Sequence, residues 1–204
     1  MTGPANDAAA SIHNTIAFDK AVQEAEAFAR KHPAETLIIV TGDHETGGLT
    51  LGFAGTKYES AFSEIGKQKM SFEAFDSLIL KPYKTAHPDG GSFEDMIPVI
   101  ESDFGLTDLS DLETRRLREA FQQSMMNREL RSTDDQTYLL YGGYEPFSVT
   151  LTHILNQRAG LAWTSYAHTG VPVQTFAKGV GQDLFNGYYD NTDIFKKMKS
   201  LMGL

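Results

Sequence analysis

The chain has 204 residues, 41% of them hydrophobic, with charges of both signs summing to a formal net charge of −9. That composition belongs to a globular chain, long enough for one large domain or for a core with a sizeable insertion, and not to a disordered one. The acidic balance argues against a nucleic-acid partner or an anionic membrane surface, no apolar stretch is long enough to span a bilayer, and the absence of cysteine excludes disulfides and thiol chemistry.

The first element in chain order is a helix. Phe18, Ala21, Val22, Ala25, Phe28 and Ala29 recur at helical spacing, and Lys31-His32-Pro33 closes the run with basic residues and a proline. Leu37 to Val40 is too short and too β-branched for a helix and reads as a core strand. Helix, strand and the following polar loop together make half of a parallel crossover unit.

From residue 57 to residue 160 the character changes to a mainly helical insertion. Its first helix carries Phe72, Phe75, Leu78 and Ile79, and a second follows Ser92 with Phe93, Met96, Ile97 and Ile100. A third follows Ser110, with Leu112, Leu117, Phe121 and Met125 as its expected buried stripe, and a fourth runs from Phe147 to Gln157. Lys81-Pro82, His87-Pro-Asp-Gly-Gly91 and Tyr141-Gly-Gly-Tyr144 are turn chemistry, and Asp134-Asp135 reads as a solvated loop. Residues 1–56 and 161–204 then form the α/β core. In its second part, Ala162–Tyr166 and Val171–Phe176 read as strands, and Asn191 or Thr192 caps a last helix.

The most informative chemistry lies at the end of the first strand, in Thr41-Gly-Asp-His-Glu-Thr-Gly-Gly48. An apolar strand ending in a small turn residue delivers an acid and an imidazole side by side, and these are donors that zinc accepts. The bland alternative is a polar strand-to-loop turn. His168-Thr-Gly-Val-Pro-Val173 places a third candidate donor just before a strand. Asp43 and His44 are therefore the candidate metal ligands on the residues alone, while an isolated histidine such as His168 usually reads as an unremarkable surface or core residue and owes its ligand role to the motif around it. Glu45, Thr46, Gly47 and Gly48 receive no catalytic role, the glycines serving tight turning and close backbone approach. Asp76-Ser77 lies inside a helical pattern, so Ser77 reads as a helix-surface residue and not as a nucleophile. His13, His32, His87 and His153 lack partners at ligand spacing and read as solvated or capping. Gly179-Val-Gly181 carries no phosphate-binding pattern around it.

These motifs resemble the alkaline phosphatase family. Thr-Gly-Asp-His-Glu-Thr-Gly-Gly is similar to its strand-end motif and His-Thr-Gly to its closing stretch, the latter followed by Phe185-Asn-Gly-Tyr-Tyr-Asp-Asn-Thr-Asp-Ile-Phe195. Ala5-Asn-Asp-Ala-Ala-Ala-Ser-Ile-His-Asn-Thr-Ile16 is a weaker match in the right order. The resemblance implies part of an alkaline-phosphatase-like three-layer α/β sandwich, with hydrolysis of small-molecule phosphate monoesters through a phosphoserine intermediate. It implies two zinc ions, Asp43 and His44 on the one that activates the serine and His168 on the other, and a magnesium site whose ligands lie outside this chain. The serine nucleophile, the phosphate-clamping arginine and several acidic ligands are expected upstream of Met1. A further zinc-binding histidine maps onto Pro4, which has no ligating side chain, so Met1-Thr-Gly reads as a junction. The expectation is a C-terminal part of a periplasmic or extracytoplasmic phosphatase. As an isolated chain it is expected to be inactive, with a homodimer or other self-association as its protein partner and neither nucleic acid nor membrane. Alternatives are a non-catalytic folded fragment or another zinc-dependent phosphatase or phosphodiesterase branch.

Overall fold

A computed structural model describes residue 3 and residues 5–204, so Pro4 lies outside the described residues. The chain divides into two compact units, residues 1–13 with 46–168 and residues 14–45 with 169–204. The elements in order are α1 (Ala8–Lys31), β1 (Leu37–Thr41), β2 (Thr50–Leu51), α2 (Phe72–Phe75), α3 (Lys81–Ala86), α4 (Ile97–Phe104), α5 (Asp111–Met125), α6 (Asp135–Tyr141), α7 (Pro146–Ala159), β3 (Leu161–Ala162), β4 (Thr175–Gly179) and α8 (Asn191–Leu201). A π-helical segment, Asp76–Leu80, joins α2 to α3.

The first unit is built around α7. This helix is apolar on more than one face and is buried nearly all round, as such helices must be. Phe147 lies at its start, with ring centroids 5.4 Å from Phe121, 5.6 Å from Phe75 and 6.3 Å from Phe93. Ile100, Phe104, Leu106 and Leu117 complete a continuous core. Its buried hydroxyls are satisfied locally: Thr150 Oγ1 donates to the Pro146 carbonyl at 2.8 Å and Thr152 Oγ1 to that of Val149 at 3.0 Å. Ser148 donates to the Asp76 carboxylate, which sits in the π segment. Burial pushes the Asp76 carboxyl up to about 6, although the Ser148 hydroxyl works against the shift.

The ends of these helices follow their sequence. Ser110 and Glu113 form a reciprocal capping box on α5, with Glu113 Oε2 accepting from Ser110 N at 2.8 Å. The same carboxylate takes a forked pair of bonds from Arg158, at 2.7 and 2.8 Å, and Arg158 is the first cause holding Glu113 down at about 2. Asp134 is no loose acidic loop: it caps α6 by accepting from Thr137 N at 2.7 Å. That helix was not legible as apolar periodicity because Leu139 faces solvent. Leu78 and Leu112 are also exposed, so the expected stripes of the first and third insertion helices are narrower than their spacing indicates.

The second unit departs further from expectation. Leu37–Thr41 is a strand, and among the described residues its partner is β4, in an antiparallel two-stranded sheet with Ile39 opposite Ala177 and no parallel neighbour. Its residues are only half-buried. The expected strand at Val171–Phe176 starts instead at Thr175, which lies opposite Thr41 where β1 ends, so the residues before it have no ladder to join. In the first unit, Ala162–Tyr166 shrinks to β3, whose partner β2 is two residues long. The final helix is capped one residue earlier than expected, by Asp190, in a capping box with Asp193.

Candidate metal half-site

β1 ends at Thr41, and Gly42 turns the chain so that Asp43 and His44 follow in a bend. The Asp43 side chain is almost fully exposed, whereas that of His44 is about one-third exposed. Asp43 Oδ1 accepts from the His44 backbone N–H at 3.0 Å. His44 Nδ1 lies 2.9 Å from the Glu45 carbonyl, an atom that can only accept, so Nδ1 donates there and Nε2 is the ring nitrogen turned toward Asp43. That Nε2 is 3.3 Å from Asp43 Oδ2.

This geometry fits shared coordination of one cation. Two donors each about 2.0–2.2 Å from a tetrahedral zinc stand roughly 3.3 Å apart. A carbonyl orienting the second ring nitrogen is the usual support for a ligating histidine. Asp43 and His44 would hold such an ion as two of its ligands, and a catalytic zinc takes three from protein. Among the described residues, no group of three or more His, Cys, Asp or Glu is arranged to hold a metal. The pair opens onto a cleft of about 810 Å³ whose walls include Val173, Phe185 and Tyr188.

Glu45 has a positioning role that sequence reasoning did not give it. Its Oε2 accepts from the Thr169 backbone N–H at 3.1 Å and from the Thr169 hydroxyl. The loop after β1 is thereby tied to the His-Thr-Gly motif through the residue that follows His168. His168 itself closes the first unit and is exposed. Inside that unit, the segment leading to it is stitched to Gly47. The Gly47 carbonyl accepts from the N–H groups of Thr164 and Ser165, each at 3.1 Å, and its own N–H donates to the Ala167 carbonyl at 3.1 Å. Gly47 has φ +80°, and a Cβ there would lie 2.8 Å from the Trp163 ring. Both facts require glycine.

The Ala5-Asn-Asp segment is an internal anchor. Asp7 is fully buried and accepts from Ala10 N, Gln68 Nε2 and Phe72 N at 3.0, 2.8 and 2.9 Å. Burial raises its carboxyl above the ordinary value despite those donors. The Asn6 carbonyl accepts from Asn156 Nδ2 at 2.6 Å. Of the histidines set aside, His13 and His32 are exposed, and His87 ends α3 with Nδ1 3.0 Å from the Tyr83 carbonyl. His153 is not solvated. Burial, with Arg116 nearby, pushes it down to about 4, so it is neutral at physiological pH.

The family model for alkaline phosphatase matches residues 2–204. The chain belongs to the alkaline phosphatase family. It is 28% identical over 199 residues to alkaline phosphatase 4 of Bacillus subtilis, covering 96% of this chain and 36% of that protein. It is 25% identical over 217 residues to the repressible alkaline phosphatase of Saccharomyces cerevisiae, covering 99% of this chain and 34% of that one. The crystal structure of a cold-active alkaline phosphatase from the psychrophile Shewanella sp. superposes with a TM-score of 0.70 at 29% identity, covering 98% of this chain and 42% of that one. This alkaline phosphatase chain therefore has the family's α/β fold, and it spans between 34% and 42% of the length of the relatives it matches.

Proposed function

We propose that this chain is the C-terminal part of a zinc-dependent alkaline phosphatase that hydrolyses phosphate monoesters through a phosphoserine intermediate. The observation that carries the reading is the 3.3 Å approach of Asp43 Oδ2 and His44 Nε2, with Nδ1 fixed on the Glu45 carbonyl. A zinc ion bound there supplies Lewis acidity, lowering the pKa of a hydroxyl nucleophile and stabilising charge on phosphoryl oxygens. The chain's own residues present the donors: Glu45 orients the His44 ring through its carbonyl and holds Thr169 through its carboxylate. His168 is assigned to the second zinc on family resemblance. The serine, the phosphate clamp and the magnesium ligands belong to the longer protein, whose periplasmic or extracytoplasmic location is part of the same proposal. No helix among the described residues is long and apolar enough to cross a membrane.

The isolated chain is proposed to be inactive, because two donors make only a weak zinc site. Self-association is its proposed partner mode, since Phe18, Phe28, Phe176 and Phe195 all expose more than half of their surface in the second unit. Calorimetric zinc titration of the chain, with phosphate release from an aryl phosphate measured in parallel, tests this reading. The expectation is weak zinc binding, lost in His44→Ala, with no turnover at any zinc concentration. Turnover that disappears in His44→Ala would show that the chain completes its own site. Zinc binding untouched by His44→Ala and by Asp43→Asn would remove the half-site assignment itself.

A further inference from the structure

The first unit contains a second cavity, of about 460 Å³, built from residues that the metal half-site does not use. Phe53, Tyr138, Trp163 and Tyr166 supply aromatic walls. Its titratable nitrogen groups are His153 and Arg116. His153 is neutral above about 4. The Tyr166 hydroxyl donates to the carbonyls of Leu140 at 2.8 Å and Leu139 at 3.2 Å, and burial raises its pKa, so it stays a phenol. Arg116 is thus the one charged side chain lining the cavity.

Burial pulls Arg116 down from its ordinary value, yet a guanidinium remains a cation at neutral pH. Among the described residues it makes no direct ion pair, and its hydrogen-bond partner is the neutral Gln157 Oε1, 2.7 Å from Nη1. A guanidinium has five N–H donors in a planar fork. The nearby Glu113 carboxylate acts on Arg116 only at longer range, being held directly by Arg158, so donors of the half-buried guanidinium are left for an anion in the cavity. The size suits a small molecule, and the walls are those of a pocket for a flat ring.

We propose that this cavity binds a planar aromatic anion, with its carboxylate or phosphate on Arg116 and its ring among Phe53, Trp163 and Tyr166. The inference is independent of the metal half-site.

Trp163 is the only tryptophan in the chain, so its fluorescence reports on this cavity directly. The test titrates the full chain, with chelator present, against benzoate and phenyl phosphate, with benzyl alcohol and inorganic phosphate as ring-only and charge-only probes. The expected result is a saturable change in emission with both aromatic anions and binding at least about ten-fold weaker for either control. Arg116→Gln should weaken the aromatic anions by about ten-fold or more, and His44→Ala should leave them unchanged. A rise in the melting temperature of the unaltered chain with phenyl phosphate, and none with benzyl alcohol, gives the same answer should the Arg116 variant fail to fold. No saturable change, equal binding by inorganic phosphate, or loss of binding in His44→Ala would each overturn the proposal.

Discussion

The two units of this chain differ most in what they bury. The first holds a continuous core running from Ala8 through Phe75, Phe104 and Phe147 to Leu161. In the second, Phe185 is the one buried residue among those described, although Leu37-Ile-Ile-Val40 is as apolar as any core strand. A strand with apolar residues on both faces is the pattern of one covered on both sides, and an isolated two-stranded pair is marginal in water. The lesson is that the segment carrying the candidate ligands Asp43 and His44 is the part that least supplies its own packing.

The sharpest way to break this comparison is truncation of one phenylalanine in each unit. Phe147→Ala removes a ring packed against three others and should cost about 3–5 kcal/mol in urea unfolding. Phe176→Ala removes a largely exposed ring and should cost under about 1 kcal/mol while reducing self-association by light scattering. Equal costs would mean that the second unit has a core of its own. Gly47→Ala should come next, at about 1–3 kcal/mol, with a shifted Trp163 emission from the ring it strikes.

Charge gives two smaller tests within the first unit. Glu113→Gln weakens both the Arg158 fork and the α5 capping box and should cost about 1 kcal/mol at neutral pH, solvent screening the exposed side of the pair. Its folded pKa is depressed to about 2, so this contribution is present above the ordinary 4.5 and fades as the pH falls toward 2. Asp76 has the opposite sign. Its folded pKa is raised from 3.8 to about 6, so the folded state holds the proton more tightly and stability is lost as the pH rises through that window. Asp76→Asn should therefore melt higher than the unaltered chain at pH 7.5, and the gap should close below about pH 4. A gap independent of pH would mean that the Ser148 hydrogen bond alone decides the effect.

Much of the helical unit was legible because caps and spacing are local signals. Ser110 with Glu113 marks the start of α5 in sequence and in space, and Leu117 and Phe121 are buried where the spacing puts them. Asp134 was misread because an N-cap and a solvated acid look alike until the following helix is recognised. His153 was misread because nothing in its neighbours along the chain indicates that Arg116 and Tyr166 will enclose it.

The sequence alone determined the family motifs, the strand that presents Asp43 and His44, and most helix starts, since each depends on residues within a few positions of one another. Only the tertiary structure decided that β1 runs antiparallel to β4, that Glu45 holds Thr169, that Gly47 is laced to the segment before His168, and that Arg116 lines an aromatic cavity. Those contacts join residues more than a hundred positions apart, or helices whose facing sides are set by packing, and no local propensity encodes which distant group will arrive.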